Sequence, residues 1–139
     1  MSSGLTYLAT PYSHPDPAVE HARFIVANKC SATLMRAGHQ IYSPISQTHS
    51  IALEGGIPGD WQYWEEYDKR IISICQKVIV LTIDGWKESI GVQAEIEFAK
   101  SIGLSVELAC PVSIIGADFY KIENIKSRTF HGSESGEGR

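Results

Sequence analysis

The sequence predicts one α/β domain with an open, mostly parallel sheet of four to five strands and helices on both faces, as in Rossmann-like and flavodoxin-like proteins. Strand patterns and helix patterns alternate along the chain, which favours right-handed crossovers between parallel strands. The run Lys77–Ile83 is almost continuously apolar, as is typical of a parallel strand that is buried on both faces. At 139 residues, the chain is long enough for one domain with a core and short for two.

The N-terminal segment predicts a strand, a loop and a helix. Leu5–Ala9 is short, apolar and β-prone, and Thr10–Pro11 ends this first strand. Asp16 is a favourable N-cap for the helix, and Pro17 fits its first position. Apolar residues then recur at spacings of three and four until Gly38, which ends the helix.

The middle of the chain predicts a strand, a long loop, a second helix and the central strand. His39–Ser43 is a short strand. Residues 44–59 have no regular pattern and contain several turn-forming residues, so we expect a long loop that is functional or mobile. Asp60 caps a helix that continues to about Cys75, ahead of the apolar strand Lys77–Ile83.

The C-terminal part predicts a third helix and further strands. They are the helix Ser89–Ile102, the fourth strand Leu104–Leu108 and a candidate short fifth strand, Val112–Ile115. We expect the domain to span residues 1–120 and a C-terminal extension to span residues 121–139. The extension should be disordered from about residue 130, because the last stretch has no apolar side chain.

Charge and composition argue against several classes of function. The formal net charge is −4 and no basic stripe is present, which disfavours a nucleic-acid polymer as partner but leaves a single nucleotide open. No apolar run approaches the ~20 residues of a membrane span and no signal peptide precedes residue 5, so we expect a soluble, cytoplasmic protein with no membrane partner. The cysteines are far apart and lie in apolar patterns, which predicts core residues in a reducing compartment; they are Cys30, Cys75 and Cys110.

Two carboxylates fall within apolar helical stripes, where burying an unpaired charge costs several kcal/mol, roughly. At about 100° per residue, Glu95 lies within an arc of aliphatic side chains, and Asp68 lies near the middle of the stripe of the preceding helix. Two such residues indicate a site. The structural alternatives are an ion pair of Glu95 with Arg70 or Lys69, or a different helical register, and for Asp68 a tyrosine hydroxyl or a helix end.

Three loops follow the carboxyl ends of strands, where ligands bind in open parallel sheets. The loops contain Thr10, Pro11, Tyr12, Ser13 and His14, then Ser43–Ser50, and finally Asp84–Gly91. Neither a G-x-G-x-x-G motif after the first strand nor a Walker loop is present, which disfavours ordinary dinucleotide and triphosphate sites. Ser89 and Gly91 at a helix start could still hold one phosphate.

Several aromatic and histidine side chains near these loops have two interpretations. Trp86 is a candidate for stacking on a base, and Trp61 and Trp64 could stack on a base or belong to the core or a subunit contact. His14 could contact a phosphate or shape its turn, and His49 could close over a ligand or simply be solvated. The sequence contains no convincing cluster of metal ligands, so we expect neither a metal nor another cofactor.

The order and spacing of several short motifs resemble the nucleoside 2-deoxyribosyltransferase superfamily over about residues 5–108. The motifs are Tyr7-Leu8-Ala9-Thr10-Pro11-Tyr12-Ser13, Ala37-Gly38-His39, Asp68 and Ser89-x-Gly91-Val92-x-x-Glu95-Ile96-x-x-Ala99. The segment Asp84-Gly85-Trp86-x-x-Ser89-x-Gly91 is similar to a small branch of that superfamily, related to the hydrolases of deoxynucleoside 5′-monophosphates.

The resemblance implies a role for each matching residue. It implies that Glu95 is the nucleophile that attacks the anomeric carbon, and that Ser89 and the first loop grip a 5′-phosphate. It places Tyr7 and Asp68 beside the sugar and the leaving base, and either Asp68 or Asp84 could protonate that base. The chain departs from the hydrolases in the first loop, where an arginine in a Gly-rich segment is replaced by Pro11-Tyr12-Ser13-His14.

We therefore expect an N-glycosidase that acts on a nucleoside or nucleoside 5′-monophosphate through a glycosyl-enzyme on Glu95. Hydrolysis is slightly favoured over base exchange by the match at Ser89. The alternatives are a nucleotide-binding or sensing module without catalysis, and an enzyme that cleaves the nicotinamide–ribose bond of NAD. By resemblance, the partner is a small molecule and the protein is a homo-oligomer, a dimer or larger.

Overall fold

A computed structural model of the protein describes residues 4–114 and 117–125. Strands and helices alternate along these residues, as the sequence predicts. The elements are β1 (Leu5–Ala9), α1 (Pro17–Arg36), β2 (Gln40–Tyr42), α2 (Pro44–Gly55), α3 (Trp61–Ser73), β3 (Lys77–Leu81), α4 (Ile90–Ser101), β4 (Ser105–Ile114) and β5 (Ala117–Asn124).

The five strands form one sheet in the order β2-β1-β3-β4-β5. The pairs β1–β2, β1–β3 and β3–β4 are parallel, and only β5 is antiparallel to its neighbour. This is the strand order of flavodoxin-like proteins, in which the chain direction across the sheet reverses between β1 and β3. The predicted fold class is confirmed.

Helices cover both faces of the sheet because its central strands are apolar on both sides. In β1, Tyr7 and Ala9 belong to the core beneath α3 and α4, whereas Leu8 belongs to the core beneath α1. In β3, all residues of Val78–Leu81 are fully buried and alternate between the same two cores. The near-continuous apolar run that predicts a doubly buried strand is therefore confirmed.

The predicted long loop over residues 44–59 is wrong, because most of it is helix α2. Ser43 caps this helix by accepting a hydrogen bond from the Ser46 backbone N–H, and Pro44 occupies its first turn. Gly56 ends the helix in the left-handed conformation, with φ of 68°. Helix α2 packs against α1, next to the end of β1, and this position brings it to the candidate site.

The predicted fifth strand Val112–Ile115 is also wrong. Val112 belongs to the long strand β4, whose residues Glu107–Ile114 pair with Ala117–Asn124 of β5. The true fifth strand therefore crosses residue 120, the expected boundary between the domain and its extension. The tail expected from about residue 130 lies outside the described residues.

Two further properties bear on the expected class of protein. Within residues 4–114 and 117–125, no helix combines the length and the hydropathy that crossing a bilayer requires. The three cysteines are free thiols; Cys30 and Cys75 are buried, and Cys110 is half-buried.

Candidate active site

Three polar side chains meet in the core between the sheet and helices α3 and α4. Tyr7 comes from β1, Asp68 from α3 and Glu95 from α4, and their exposed fractions are 0%, 8% and 5%. The Tyr7 hydroxyl donates a hydrogen bond of 2.7 Å to Glu95 Oε2. The helical patterns therefore predict the burial of both carboxylates correctly, and the tyrosine gives Glu95 a fixed orientation.

The ion-pair alternative for Glu95 is not realised. Lys69 pairs with Glu65 at 2.7 Å, and Arg70 pairs with Glu66 at 3.4 Å, both along the outer side of α3. Helix α3 therefore supplies no cation that compensates the charge of the buried carboxylates.

Burial shifts the pKa of all three groups. Loss of solvent raises the pKa of Glu95 well above its usual value, and the nearby Asp68 raises it further, while the Tyr7 hydrogen bond opposes the shift. Loss of solvent raises the pKa of Asp68 to about 6, against hydrogen bonds from Glu95 and Tyr7 that favour its ionised form. Burial also raises the pKa of Tyr7, so its hydroxyl keeps its proton. Burial and mutual repulsion therefore favour a proton held between the two carboxyl groups, and the pair titrates as a unit.

The pair opens into a cavity of about 570 Å³ at the carboxyl ends of β1 and β3. This is the place where open parallel sheets of this strand order bind ligands. Of the first loop, Thr10, Tyr12 and Ser13 line the cavity. The Thr10 hydroxyl is buried and has no hydrogen-bond partner among the described residues, so it is a polar group that a ligand could satisfy.

The N-terminus of α4 forms one wall of the cavity. Ser89 is the N-cap of this helix, and its hydroxyl accepts a hydrogen bond of 3.1 Å from the Val92 backbone N–H. Gly91 lies against the indole of Trp61, since a Cβ at Gly91 would be 3.4 Å from Trp61 Cε3. Both Ser89 and Gly91 line the cavity, and Glu95 follows one turn further along the helix.

Two indole side chains form the wall contributed by α3. Trp61 and Trp64 both line the cavity, which places them where a base could stack. The indole Nε1–H of Trp64 donates a hydrogen bond of 2.7 Å to the Pro58 carbonyl oxygen and so fixes the ring against the segment before α3.

A chain of hydrogen-bonding side chains runs from the cavity to the surface. The Tyr12 hydroxyl and His49 Nδ1 are 2.5 Å apart, and His49 Nε2 is 3.4 Å from Nδ1 of the exposed His21. His49 is buried and stacks on the Phe24 ring at 4.4 Å. Burial first, and then His21, lower the pKa of His49, while Glu20 opposes the shift. His49 is therefore neutral near pH 7 and holds Tyr12 at the cavity wall.

Four of the predicted site residues lie away from the cavity, and a fifth, Tyr7, contacts Glu95 without lining the cavity itself. Asp84 is exposed and borders a different, shallow depression beside α1, and its backbone carbonyl oxygen accepts a hydrogen bond from Arg23. Trp86 is 6% exposed and belongs to the core beneath α4, so its ring is packed against protein. His14 accepts a hydrogen bond from the Asp16 backbone N–H at the surface, and Pro11 is buried.

The sequence reasoning missed the face that α2 contributes. Pro44, Ile45, Thr48 and Ala52 line the cavity. They follow the four-residue spacing of one helix face, and the Ser43-Pro44 pair is a typical helix start, so the signal was present in the sequence. In the described part of the chain, no group of three or more histidine, cysteine or acidic side chains is arranged to hold a metal ion.

Fold and site together define a flavodoxin-like α/β protein with a buried acidic pair and a tyrosine at the ligand-binding edge of its sheet. The chain belongs to a family described as a domain of unknown function, DUF1937, whose model matches residues 4–111. The matched range includes Tyr7, Asp68, Glu95 and all the residues that line the cavity. A comparison with curated proteins finds no match.

Proposed function

We propose that the protein is an N-glycosidase that cleaves the bond between base and sugar of a nucleoside or nucleoside 5′-monophosphate, by hydrolysis or base exchange. The observation that carries the proposal is the 2.7 Å hydrogen bond from Tyr7 to Glu95, beside Asp68, at the wall of a cavity of about 570 Å³. The motif resemblance to nucleoside 2-deoxyribosyltransferases supports the same assignment.

In the first proposed step, a carboxylate oxygen of Glu95 attacks the anomeric carbon and forms a glycosyl ester. The C–N bond breaks with its electron pair leaving on the base, through an oxocarbenium-like transition state that the carboxylate stabilises. Tyr7 orients Glu95 for this attack because its hydroxyl holds one carboxylate oxygen in place.

The proton shared by the pair serves the leaving base. When Glu95 attacks as a carboxylate, the proton resides on Asp68, which donates it to the departing base and prevents negative charge from accumulating there. We assign this role to Asp68 rather than to Asp84, since Asp68 lines the cavity and Asp84 does not. In the second step, water or another base attacks the same carbon, Glu95 leaves, and the proton of the attacking group passes to Asp68.

The test measures release of free base from a panel of nucleosides and 5′-monophosphates, together with a mass-spectrometric search for a sugar adduct on Glu95. Glu95→Gln should lower base release by about 1,000-fold or more, because an amide cannot replace the nucleophile. Glu97→Gln is the matched control: Glu97 is on the same helix, but it is exposed and does not line the cavity.

Three outcomes are informative. Base release and an adduct, both lost only in Glu95→Gln, support the proposal. Equal activity of the Glu95→Gln variant and the wild type would exclude Glu95 as the nucleophile. Ligand-induced stabilisation that survives Glu95→Gln, without base release by the wild type, would identify a binding module that lacks catalysis.

A further inference from the structure

The charge of the cavity wall bears on whether a phosphate can enter. Among the described residues, the lining contains five acidic side chains and no lysine or arginine; the acids are Asp60, Glu65, Asp68, Glu88 and Glu95. Phosphate groups in proteins are normally bound by arginine, lysine or converging backbone N–H groups. The charged side chains of this wall are acidic, whereas a site for a dianionic ligand is expected to present basic side chains.

The nearby cations are engaged elsewhere. The Arg23 guanidinium donates hydrogen bonds to the backbone carbonyl oxygens of Tyr12, Ser13 and Asp84, at 3.3, 3.1 and 3.4 Å, and does not line the cavity. Lys69 is paired with Glu65. The histidine behind Tyr12 is neutral near pH 7. In the part of the chain that the structure describes, no lysine or arginine side chain therefore lines the space beside Glu95.

The N-termini of α2, α3 and α4 all line the cavity and favour an anion, but their combined positive charge is smaller than the negative charge of the acidic side chains. A helix N-terminus carries about half a positive charge. If Glu65 is neutralised by its lysine and Glu95 holds the shared proton, Asp60, Asp68 and Glu88 still place negative charge on the same wall. The Ser89 hydroxyl already caps α4, and it remains able to donate a hydrogen bond to a neutral hydroxyl group.

We infer, as a refinement that rests on the proposed function, that the cavity accepts a nucleoside without a 5′-phosphate and rejects the corresponding 5′-monophosphate. The indoles of Trp61 and Trp64 offer apolar surface to the base, and the acidic and hydroxyl groups suit the uncharged hydroxyls of the sugar. A 5′-phosphate would meet like charge on the wall instead.

The experiment measures binding by calorimetry to the wild type and to Glu95→Gln, with matched pairs of nucleoside and 5′-monophosphate for each common base. We expect each bound nucleoside to bind at least about 10-fold more tightly than its monophosphate, which corresponds to about 1.4 kcal/mol. The difference should shrink as salt is raised from about 0.01 M to 0.15 M, because salt screens charge repulsion at a cavity open to solvent.

A charge reversal at the cavity provides the sharper test. Glu88→Lys should reduce the difference in binding affinity between nucleoside and monophosphate, because a positive charge at this position strengthens binding of the monophosphate. Glu97→Lys changes the net charge by the same amount on helix α4, outside the cavity, and should leave this difference in affinity nearly unchanged. If both variants reduce this difference in affinity equally, the overall charge of the protein sets the preference for nucleosides, and the inference about the cavity wall is overturned.

The results also separate this inference from the proposed function. Monophosphates that bind as tightly as nucleosides, or more tightly, would overturn the inference even if base is released. A lack of nucleoside binding to either protein would overturn it as well. Nucleosides that bind in preference to monophosphates but release no base would support the inference and overturn the proposed N-glycosidase chemistry.

Discussion

The buried acidic pair should make the protein less stable as the pH rises through neutrality. The folded state raises the pKa of Asp68 from 3.8 to about 6, so between these values it binds more protons than the unfolded chain. The contribution of the Asp68 carboxyl group to the free energy of unfolding is therefore fully present below pH 3.8. It is lost as the pH rises through about 6. At about 1.4 kcal/mol per pKa unit, the loss is about 3 kcal/mol. Glu95, whose pKa is also raised, adds to the loss at higher pH.

The assay is urea unfolding of the wild type and of the Asp68→Asn/Glu95→Gln double variant at several pH values from 4 to 8. The double variant keeps similar side-chain volumes but removes both titrating groups, so the remaining carboxylates and histidines cancel in the difference. We expect the wild type to lose at least about 3 kcal/mol relative to the double variant between pH 4 and 7.5, because Glu95 adds to the loss from Asp68. The free energy of unfolding could instead change equally with pH in the two proteins, or rise with pH in the wild type relative to the double variant. Either result would refute this account of the pair.

Five further substitutions test other contacts of the site and its support. Tyr7→Phe should lower the rate of base release about 10- to 100-fold with little change in substrate affinity, because it removes a hydrogen bond to a charged group worth roughly 1.5–3 kcal/mol. Gly85→Ala should reduce the free energy of unfolding by about 1–2 kcal/mol, since φ at Gly85 is 95°, whereas Gly91→Ala, without positive φ, should cost little in urea unfolding. Trp86→Ala should lower the free energy of unfolding by about 3–5 kcal/mol, because its ring is part of the core. Trp61→Ala should mainly weaken nucleoside binding in calorimetry, because its ring lines the cavity. A loss of binding in Trp86→Ala and a loss of stability in Trp61→Ala would contradict both assignments.

Much of the acidic centre could be predicted from the sequence because it violates the local pattern. A carboxylate within an apolar stripe is visible from helical periodicity alone, and the burial of both Asp68 and Glu95 follows from it. The partnership of Glu95 with Tyr7 could not be derived in this way. It depends on which strand lies beneath α4, which is a property of the sheet order rather than of either segment.

The errors have equally specific causes. The signals for α2 lay in Ser43-Pro44, in Gly56 and in the four-residue spacing of one face, but the turn-forming residues 54–59 obscured them. Strand β5 was missed because it is an antiparallel edge strand with neighbouring charged residues, such as Lys121 and Glu123, and lacks the apolar run of a central strand. Trp86 illustrates the opposite error, since its place in a loop gave no indication that its ring is buried in the core.

The contact between Tyr7 and Glu95 also has a consequence for how the chain folds. These residues are 88 positions apart, whereas β4 and β5 pair through a short connection. Closing a long loop has a larger entropic cost than closing a short one, so we expect the hairpin of β4 and β5 to form early and the buried acidic pair to meet Tyr7 late. Tyr7→Phe should then accelerate unfolding and leave the refolding rate nearly unchanged in stopped-flow measurements, and a slower refolding rate would contradict this order. If the protein has the proposed activity, that activity would be acquired only at the last stage of folding.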